Sequence, residues 1–227
     1  RNSYNKVFNN SSDSLTVDIE REGKLFKRKI ARYFFKSFNF NSDKNRDAKK
    51  WEILEDNIGY VHMDRIAGRD NLEVIDDLKN TKAIIFDLRK GTRASRGLSR
   101  KLNTKSKIFS NITYPDLSYP GKFFWGKDET GSSGSKGYEG LVVILVAEST
   151  QSQAEYVAMS LQTAEKSITI GSQTAGADGN VIPFEFLGGY KTQISGLGIY
   201  YPDRTPAQRR GVKIDIEVKT TIQGIRE

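Results

Sequence analysis

Three hydroxyl side chains that could act as a nucleophile, Ser149, Thr150 and Ser152, lie between an apolar run and a stretch with helical spacing. The run, residues 141–146, is continuous and rich in β-branched residues, which predicts a central strand buried on both faces. A helix is predicted next, because apolar residues recur every three or four positions, at 154, 157, 158 and 161. A serine at such a turn lies where backbone N–H groups converge and the helix dipole favours negative charge. That position suits a nucleophile whose attack creates an oxyanion.

The same hydroxyl side chains have a second interpretation, because Ser and Thr are also common N-cap residues of helices. Ser149 or Thr150 would accept a hydrogen bond from the first helical turn. Glu155 or Gln153 would then complete a capping box. The residues of this stretch alone leave catalysis and capping both open.

The composition is that of a globular chain. Its 227 residues predict one domain, or one domain plus a fragment. The hydrophobic content of 37% and the charged content of 28% allow a folded core, and no apolar run is long enough to span a membrane. The absence of cysteine excludes disulfides, cysteine-ligated metals and a cysteine nucleophile. Because the chain begins with Arg1 rather than Met, we expect a segment upstream of it in the whole protein.

The net charge of +8 is concentrated in residues 89–107, which carry eight basic side chains and no acidic one. A nucleic-acid interface would also need interleaved aromatic side chains, which this stretch lacks. The pattern favours a solvated basic face, which could also receive an acidic substrate or a peptide carboxylate.

The hydrophobic pattern predicts an α/β core that follows a small β-unit. The β-unit is a hairpin of residues 14–20 and 25–35, and a polar linker over 37–50 comes after it. In the core, residues 106–136 are interpreted as an irregular excursion with a hairpin. The remaining core elements are predicted as a helix at 70–78, a Gly-Gly hairpin of 181–187 and 190–194, and strands at 51–54, 58–63, 82–88, 167–171, 196–201 and 213–218.

The order of the motifs is more specific than any one of them. The chain carries IGYVHM, then IIFDLR before a loop, VVILVAESTQSQAEYVAM, TIGSQTAGADG, the Gly-Gly hairpin and GVKIDIEV. Over roughly residues 57–220 this order resembles that of the C-terminal processing (tail-specific) serine peptidases, the group that includes the tricorn core. The TQSQAEY and TAGADGN segments look closest to members of the Bacteroides type.

The resemblance implies a fold, a domain organisation and a location. Residues 51–227 would form an α/β peptidase core with a crotonase-like spiral of ββα units. Residues 1–50 would be the C-terminal remnant of a PDZ-like domain plus a linker. Peptidases of this kind usually act after export, so the resemblance implies a periplasmic protein or an outer-surface lipoprotein.

The resemblance also carries site residues over to this chain. The family nucleophile precedes the helix Glu by three positions, so Glu155 places the nucleophile at Ser152. The backbone N–H groups of Gln153 and of a residue near Gly91 would form the oxyanion hole. The usual Asn-Gly-Gly is absent from the second loop, where Gly91 is the approximate match.

The general base departs from the family pattern. Ala177 stands where one branch has its lysine, and Val181 stands where that branch has the glutamine that orients it. Gln208 falls near the acid position of the tricorn-like branch, whose base is a histidine upstream of the PDZ-like domain. We therefore expect the base upstream of this chain. His62 and Asp178 are the local candidates, and each would have to reach the serine hydroxyl with a suitable pKa.

The resemblance implies a serine-type endopeptidase that acts on a peptide or an unfolded protein without a metal or cofactor and without a nucleic-acid partner. The substrate could add as a strand beside the sheet. The alternative is a catalytically silent peptide-binding module of the same fold. The missing base favours the module, whereas the sequence context of Ser152 favours the enzyme. The sequence predicts neither the substrate specificity nor the oligomeric state.

Overall fold

A computed structural model describes residues 13–31, 49–94, 96–134, 136–219 and 221. The chain divides into two compact units, residues 1–48 and residues 49–227. The described part of the first unit is an antiparallel hairpin of β1 (Ser14–Arg21) and β2 (Lys24–Ala31).

The turn of this hairpin is tight, because Glu22 and Gly23 both have positive φ angles, 53° and 72°, as a two-residue hairpin loop requires. The predicted hairpin is confirmed. Residues 32–35 of the predicted returning strand lie outside the described residues, as does most of the predicted linker.

The described part of the second unit alternates strands with two α-helices and several short 3-10 turns. In chain order its regular elements are β3 (Trp51–Leu54), β4 (Ile58–His62), α1 (Asn71–Leu78), β5 (Ala83–Asp87), β6 (Lys107–Pro115), β7 (Phe123–Thr130), β8 (Leu141–Val146), α2 (Gln153–Leu161), β9 (Ser167–Gly171), β10 (Val181–Glu185), β11 (Lys191–Ser195), β12 (Gly198–Tyr200) and β13 (Ile216–Glu217).

The main sheet has six strands in the order β13-β9-β8-β5-β4-β3. β4, β5, β8, β9 and β13 run parallel to one another, and β3 pairs antiparallel with β4 at one edge. In β8, Val142, Ile144 and Val146 are fully buried, whereas Val143 and Leu145 are half-buried. The predicted strand is therefore confirmed, with one face more deeply buried than the other.

Two smaller antiparallel sheets complete the unit. One has the order β12-β6-β7, and the other is the hairpin of β10 and β11. The predicted Gly-Gly turn is confirmed, since Gly188 and Gly189 have φ angles of 91° and 83°. The prediction of an irregular excursion at 106–136 is wrong in part, because β6 and β7 form a long hairpin with a register shift near Ile108.

The topology brings three loops to one edge of the main sheet. β5, β8 and β9 are adjacent and parallel, so their carboxyl ends lie side by side. The loops that follow them hold the residues around Gly91, Ser152 and Asp178. The fold thus gathers most of the predicted site residues at this edge, and α2 begins there.

Candidate active site

Ser152 lies at the N-terminal end of α2 with φ 54° and ψ −121°. Glycine adopts a positive φ readily, whereas other residues pay roughly 1–3 kcal/mol for such strain. Ser152 lines a cavity of about 520 Å³, as does Gln153. Gln153 is the first helical residue, so its N–H has no acceptor within the helix. A strained serine beside such an N–H is an arrangement that nucleophilic attack with oxyanion formation needs.

Ser149 and Thr150 hold the turn in place. The Ser149 hydroxyl donates to the carbonyl of Arg89 at 2.5 Å, and the Thr150 hydroxyl donates to the carbonyl of Leu88 at 3.1 Å. The Ala147 N–H in turn donates to Thr150 Oγ1 at 3.0 Å. These bonds tie the turn before α2 to the loop after β5. Ser152, and neither of these two residues, occupies the N-cap position.

Glu155 is a buried carboxylate, 1% exposed, that accepts four hydrogen bonds. Oε2 accepts from the N–H groups of Ser152 (3.1 Å) and Ala177 (3.0 Å). Oε1 accepts from the Thr174 hydroxyl (2.6 Å) and the Gly176 N–H (2.7 Å). The bond to Ser152 is the glutamate half of a capping box whose N-cap is Ser152, not Ser149 or Thr150 as predicted. The other three bonds clamp the loop after β9 to the start of α2.

Asp178 follows this clamped loop and lines the same cavity as Ser152. Its side chain is 6% exposed, and its Oδ1 accepts the Gly179 N–H at 2.7 Å. Its Oδ2 is buried and has no hydrogen-bond partner among the described residues. Burial raises the pKa of Asp178 to about 7, which the Gly179 N–H opposes and the negative charge of Glu155 reinforces.

A second carboxylate, Asp128, lies in the wall of the cavity but is already paired. The Tyr156 hydroxyl donates to it, and so does the Arg96 guanidinium. Burial and the bond to Asp128 raise the pKa of Tyr156. Sequence reasoning missed this cluster, although Tyr156 lies four residues after Ser152 and so on the same face of the helix. The cavity is lined by Ile112, Tyr114, Asp128, Ser152, Gln153, Tyr156, Asp178, Gly179, Asn180, Val181, Leu197 and Ile199.

Two predicted site residues have other partners. His62 Nε2 lies 3.4 Å from Glu52 Oε1, and its ring packs edge-on against Tyr60 with centroids 4.8 Å apart. It is not among the residues that line the cavity, so the structure does not bring it to Ser152. The Gly91 N–H donates to the Leu88 carbonyl at 2.9 Å and so already has an acceptor.

The basic stretch 89–107 is partly neutralised by carboxylates. Its ion pairs join Arg89 to Asp87, Arg96 to Asp128, Lys101 to Asp76 and Lys107 to Glu165. Pairing of this kind breaks up the positive surface that a nucleic acid would need. Among the described residues, no group of three or more His, Cys, Asp or Glu side chains could hold a metal ion. No helix in the described part of the chain is long and apolar enough to cross a membrane.

Known proteins share both the sequence pattern and the fold. The sequence profile of Peptidase family S41 matches residues 57–218. No curated protein matches the chain. The solved structures that it resembles include a candidate peptidase from Parabacteroides merdae ATCC 43184, with a TM-score of 0.65 and 17% identity over 78% of this chain and 59% of that one.

Two further structures have the same fold. The photosystem II D1 C-terminal processing protease has a TM-score of 0.54 and 16% identity, over 74% of this chain and 45% of that one. A candidate S41 protease from Bacteroides fragilis NCTC 9343 has a TM-score of 0.52 and 17% identity, over 91% of this chain and 59% of that one. The chain thus spans between 45% and 59% of the length of these three structures. The family match covers most of the chain and includes every loop that meets at Ser152. The predicted α/β fold and the resemblance inferred from the ordered motifs are therefore confirmed, and the chain belongs to Peptidase family S41.

Proposed function

We propose that this chain is the catalytic unit of a serine-type endopeptidase in which Ser152 is the nucleophile. The observation that carries the proposal is the backbone of Ser152, held at φ 54° and ψ −121° at the start of α2, where the residue lines a cavity. Strain of this kind persists where the surrounding structure enforces it, and it is concentrated at active sites. The four hydrogen bonds that Glu155 accepts hold the turn in this conformation.

The proposed reaction follows the general course of serine acyl transfer. The Ser152 hydroxyl oxygen attacks the scissile carbonyl carbon, and the carbonyl oxygen becomes an oxyanion beside the Gln153 N–H. The C–N bond then breaks, the amine leaves with a proton, and water hydrolyses the acyl-enzyme. A second oxyanion donor near Gly91 stays a prediction, because the Gly91 N–H would first have to leave the Leu88 carbonyl.

The proposed substrate is a peptide segment of an unfolded or flexible protein. Ile112, Leu197 and Ile199 give the cavity apolar walls that would accept an apolar side chain near the scissile bond. β10 begins at the cavity with Val181, and β11 is its one strand partner in the described structure. An extended peptide could therefore add along the outer edge of β10 through backbone hydrogen bonds. Export of the protein and a PDZ-like origin of residues 1–50 stay predictions.

A catalytically silent peptide-binding module of the same fold is the second candidate. It is favoured by the cavity itself, since no Lys or His is among the described residues that line it. Such a module would bind an extended peptide at the cavity and leave it intact.

The test is a fluorophosphonate, which forms a stable ester with an activated serine. The intact mass of the chain and of a Ser152→Ala variant would be measured after exposure, with peptide mapping of any adduct. One adduct on Ser152, absent from the variant, is the result expected of the enzyme. A folded chain that binds extended peptides but acquires no adduct would instead favour the binding module.

A further inference from the structure

Asp178 Oδ2 is a buried oxygen that the folded chain leaves without a hydrogen bond among the described residues. A buried polar atom without a partner costs about 1–3 kcal/mol, and more when the group is charged, so its retention calls for an explanation. The explanation here must involve the cavity, because Asp178 lines it and only 6% of the residue is exposed. The wall of the cavity therefore holds a carboxylate oxygen whose lone pairs no described residue uses.

The clamp at Glu155 fixes how close this carboxylate is to the serine. The N–H groups of Ser152 and Ala177 both donate to Glu155 Oε2, at 3.1 Å and 3.0 Å. Their nitrogen atoms are therefore no more than about 6 Å apart. Asp178 is the residue after Ala177, and consecutive Cα atoms are about 3.8 Å apart. The clamp thus holds the backbone of Asp178 beside the turn that carries the serine.

The Asp178 backbone is held from the other side as well. Gln208 Nε2 donates to the Asp178 carbonyl at 2.8 Å and to the Leu197 carbonyl at 2.9 Å. Gly179, the next residue, has φ 95°, and a Cβ there would lie 2.7 Å from the Leu197 carbonyl oxygen. The loop is therefore tightly packed at this point, so Asp178 is a preorganised group.

The other titratable groups that line the cavity are poor proton acceptors. Asp128 is engaged by Tyr156 and by Arg96. The pKa of Tyr156 is raised by burial and by Asp128, so its phenol holds its proton more firmly. Tyr114 carries a phenol rather than a carboxylate. Among the described residues that line the cavity, Asp178 is therefore the carboxylate with an oxygen, Oδ2, that accepts no hydrogen bond.

We infer that Asp178 is the general base that takes the proton of the Ser152 hydroxyl, so that the chain carries its own base. The inference rests on the proposed function. As Ser152 Oγ bonds to the carbonyl carbon, the hydroxyl proton moves to Asp178 Oδ2 and the carbonyl π electrons move to the oxygen. When the C–N bond breaks, the same proton passes to the leaving amine. Water then gives its proton to Asp178 as it attacks the acyl-enzyme, and the regenerated serine recovers that proton.

The charge environment suits this role. An Asp of ordinary pKa is a weak base towards a serine hydroxyl, and a base works best when its pKa lies near the working pH. Burial brings the pKa of Asp178 to about 7. The groups near its carboxyl group are the Glu155 carboxylate and the Gly179 N–H, and the Gln208 amide bonds its backbone carbonyl. Asp128, which also lines the cavity, is balanced by Arg96.

The experiment measures the rate of fluorophosphonate labelling of Ser152 from pH 5 to pH 9 by intact mass. In the unmodified chain we expect the rate to rise about tenfold per pH unit below pH 7 and to level off above it, because Asp178 must be ionised to accept the proton. Asp178→Asn should lower the plateau rate by about 10²–10⁴-fold and remove the titration. Asp178→Glu should restore part of the rate with a shifted midpoint. Asp64→Asn, at an exposed position, is the matched control and should keep the profile.

The outcomes separate this inference from the proposed function. Labelling of Ser152 that is equally fast in Asp178→Asn would overturn the assignment of the base and leave the serine peptidase proposal standing. A wild-type rate that does not change between pH 5 and pH 9 would overturn that assignment in the same way. Absence of any Ser152 adduct in the folded wild-type chain would overturn the proposed function and this inference together. Tryptophan fluorescence at each pH would show that every variant is folded.

Discussion

Replacing Asp178 by Asn should stabilise the protein at alkaline pH. The pKa of Asp178 rises from 3.8 to about 7 because the folded chain buries the carboxyl group. Below pH 3.8 both the folded and the unfolded chain hold the proton, so the shift has no effect there. Between these two pKa values the unfolded chain loses the proton while the folded chain keeps it, and stability falls as the pH rises. Above pH 7 the loss is complete.

The magnitude follows from the two pKa values. Each unit of pKa corresponds to 1.36 kcal/mol, so the ionised carboxylate costs the folded chain about 4 kcal/mol at pH 8. At pH 5 the same calculation gives a cost between about 1 and 2 kcal/mol. Because Asn has no proton to lose, the stability advantage of Asp178→Asn should grow by about 3 kcal/mol between pH 5 and pH 8. Carboxylates far from residue 178 contribute equally in both proteins, so their contributions cancel in the difference.

Urea denaturation followed by tryptophan fluorescence would measure this difference. Trp51 and Trp125 both belong to the unit that carries the site, so the signal reports its unfolding. Midpoints and slopes would be determined at pH 5 and pH 8 for the wild type, Asp178→Asn and the exposed control Asp64→Asn. A stability difference that changes by less than about 0.5 kcal/mol between the two pH values would refute the argument, because the carboxyl group would then be solvated or paired in the folded chain.

Two further substitutions test the turn and its clamp. Ser152→Gly should be more stable than Ser152→Ala by about 1 kcal/mol in urea denaturation, because glycine adopts the positive φ without strain and alanine does not. Equal midpoints would show that the turn is not strained. Glu155→Gln should lower the free energy of unfolding by about 2–4 kcal/mol. The glutamine NH2 group is itself a donor, so it would face N–H and O–H groups that now donate to a carboxylate oxygen. The exposed Glu139→Gln should change it by less than about 0.5 kcal/mol, and a similar effect of both substitutions would contradict the clamp.

Much of the fold could be predicted because its central strands have a strong local pattern. Short apolar runs rich in β-branched residues mark β5 and β8, and both lie where the sequence predicts them. β6 and β7 have no such pattern. Phe123, Phe124 and Trp125 are all about half-exposed, so consecutive aromatic residues hide the alternation that usually marks a strand. Their pairing with β6 is a long-range property that local propensity does not encode.

Only the part of the candidate site that depends on chain-local geometry leaves a signal in the sequence. Ser152 and Glu155 are three residues apart at a helix start, and a capping-box pattern connects them. The further role of Glu155 depends on Gly176 and Ala177, about twenty residues away, which reach it only after β9 has paired with β8. The bond from the Gly91 N–H to the Leu88 carbonyl, by contrast, closes a local turn, which the approximate match to the family loop does not show.

The amide at position 208 has a structural role that its residue type alone does not show. A family pattern with an acid at this position makes Gln208 a missing catalytic group. In the folded chain its Nε2 donates to the carbonyls of Asp178 and Leu197, and its Oε1 accepts the Ile199 N–H at 3.3 Å. A carboxylate has no hydrogen to donate and would place a second negative charge against the loop that carries Asp178. A glutamine at 208 therefore holds the loop that carries Asp178 with two donated hydrogen bonds, which a carboxylate at 208 could not supply.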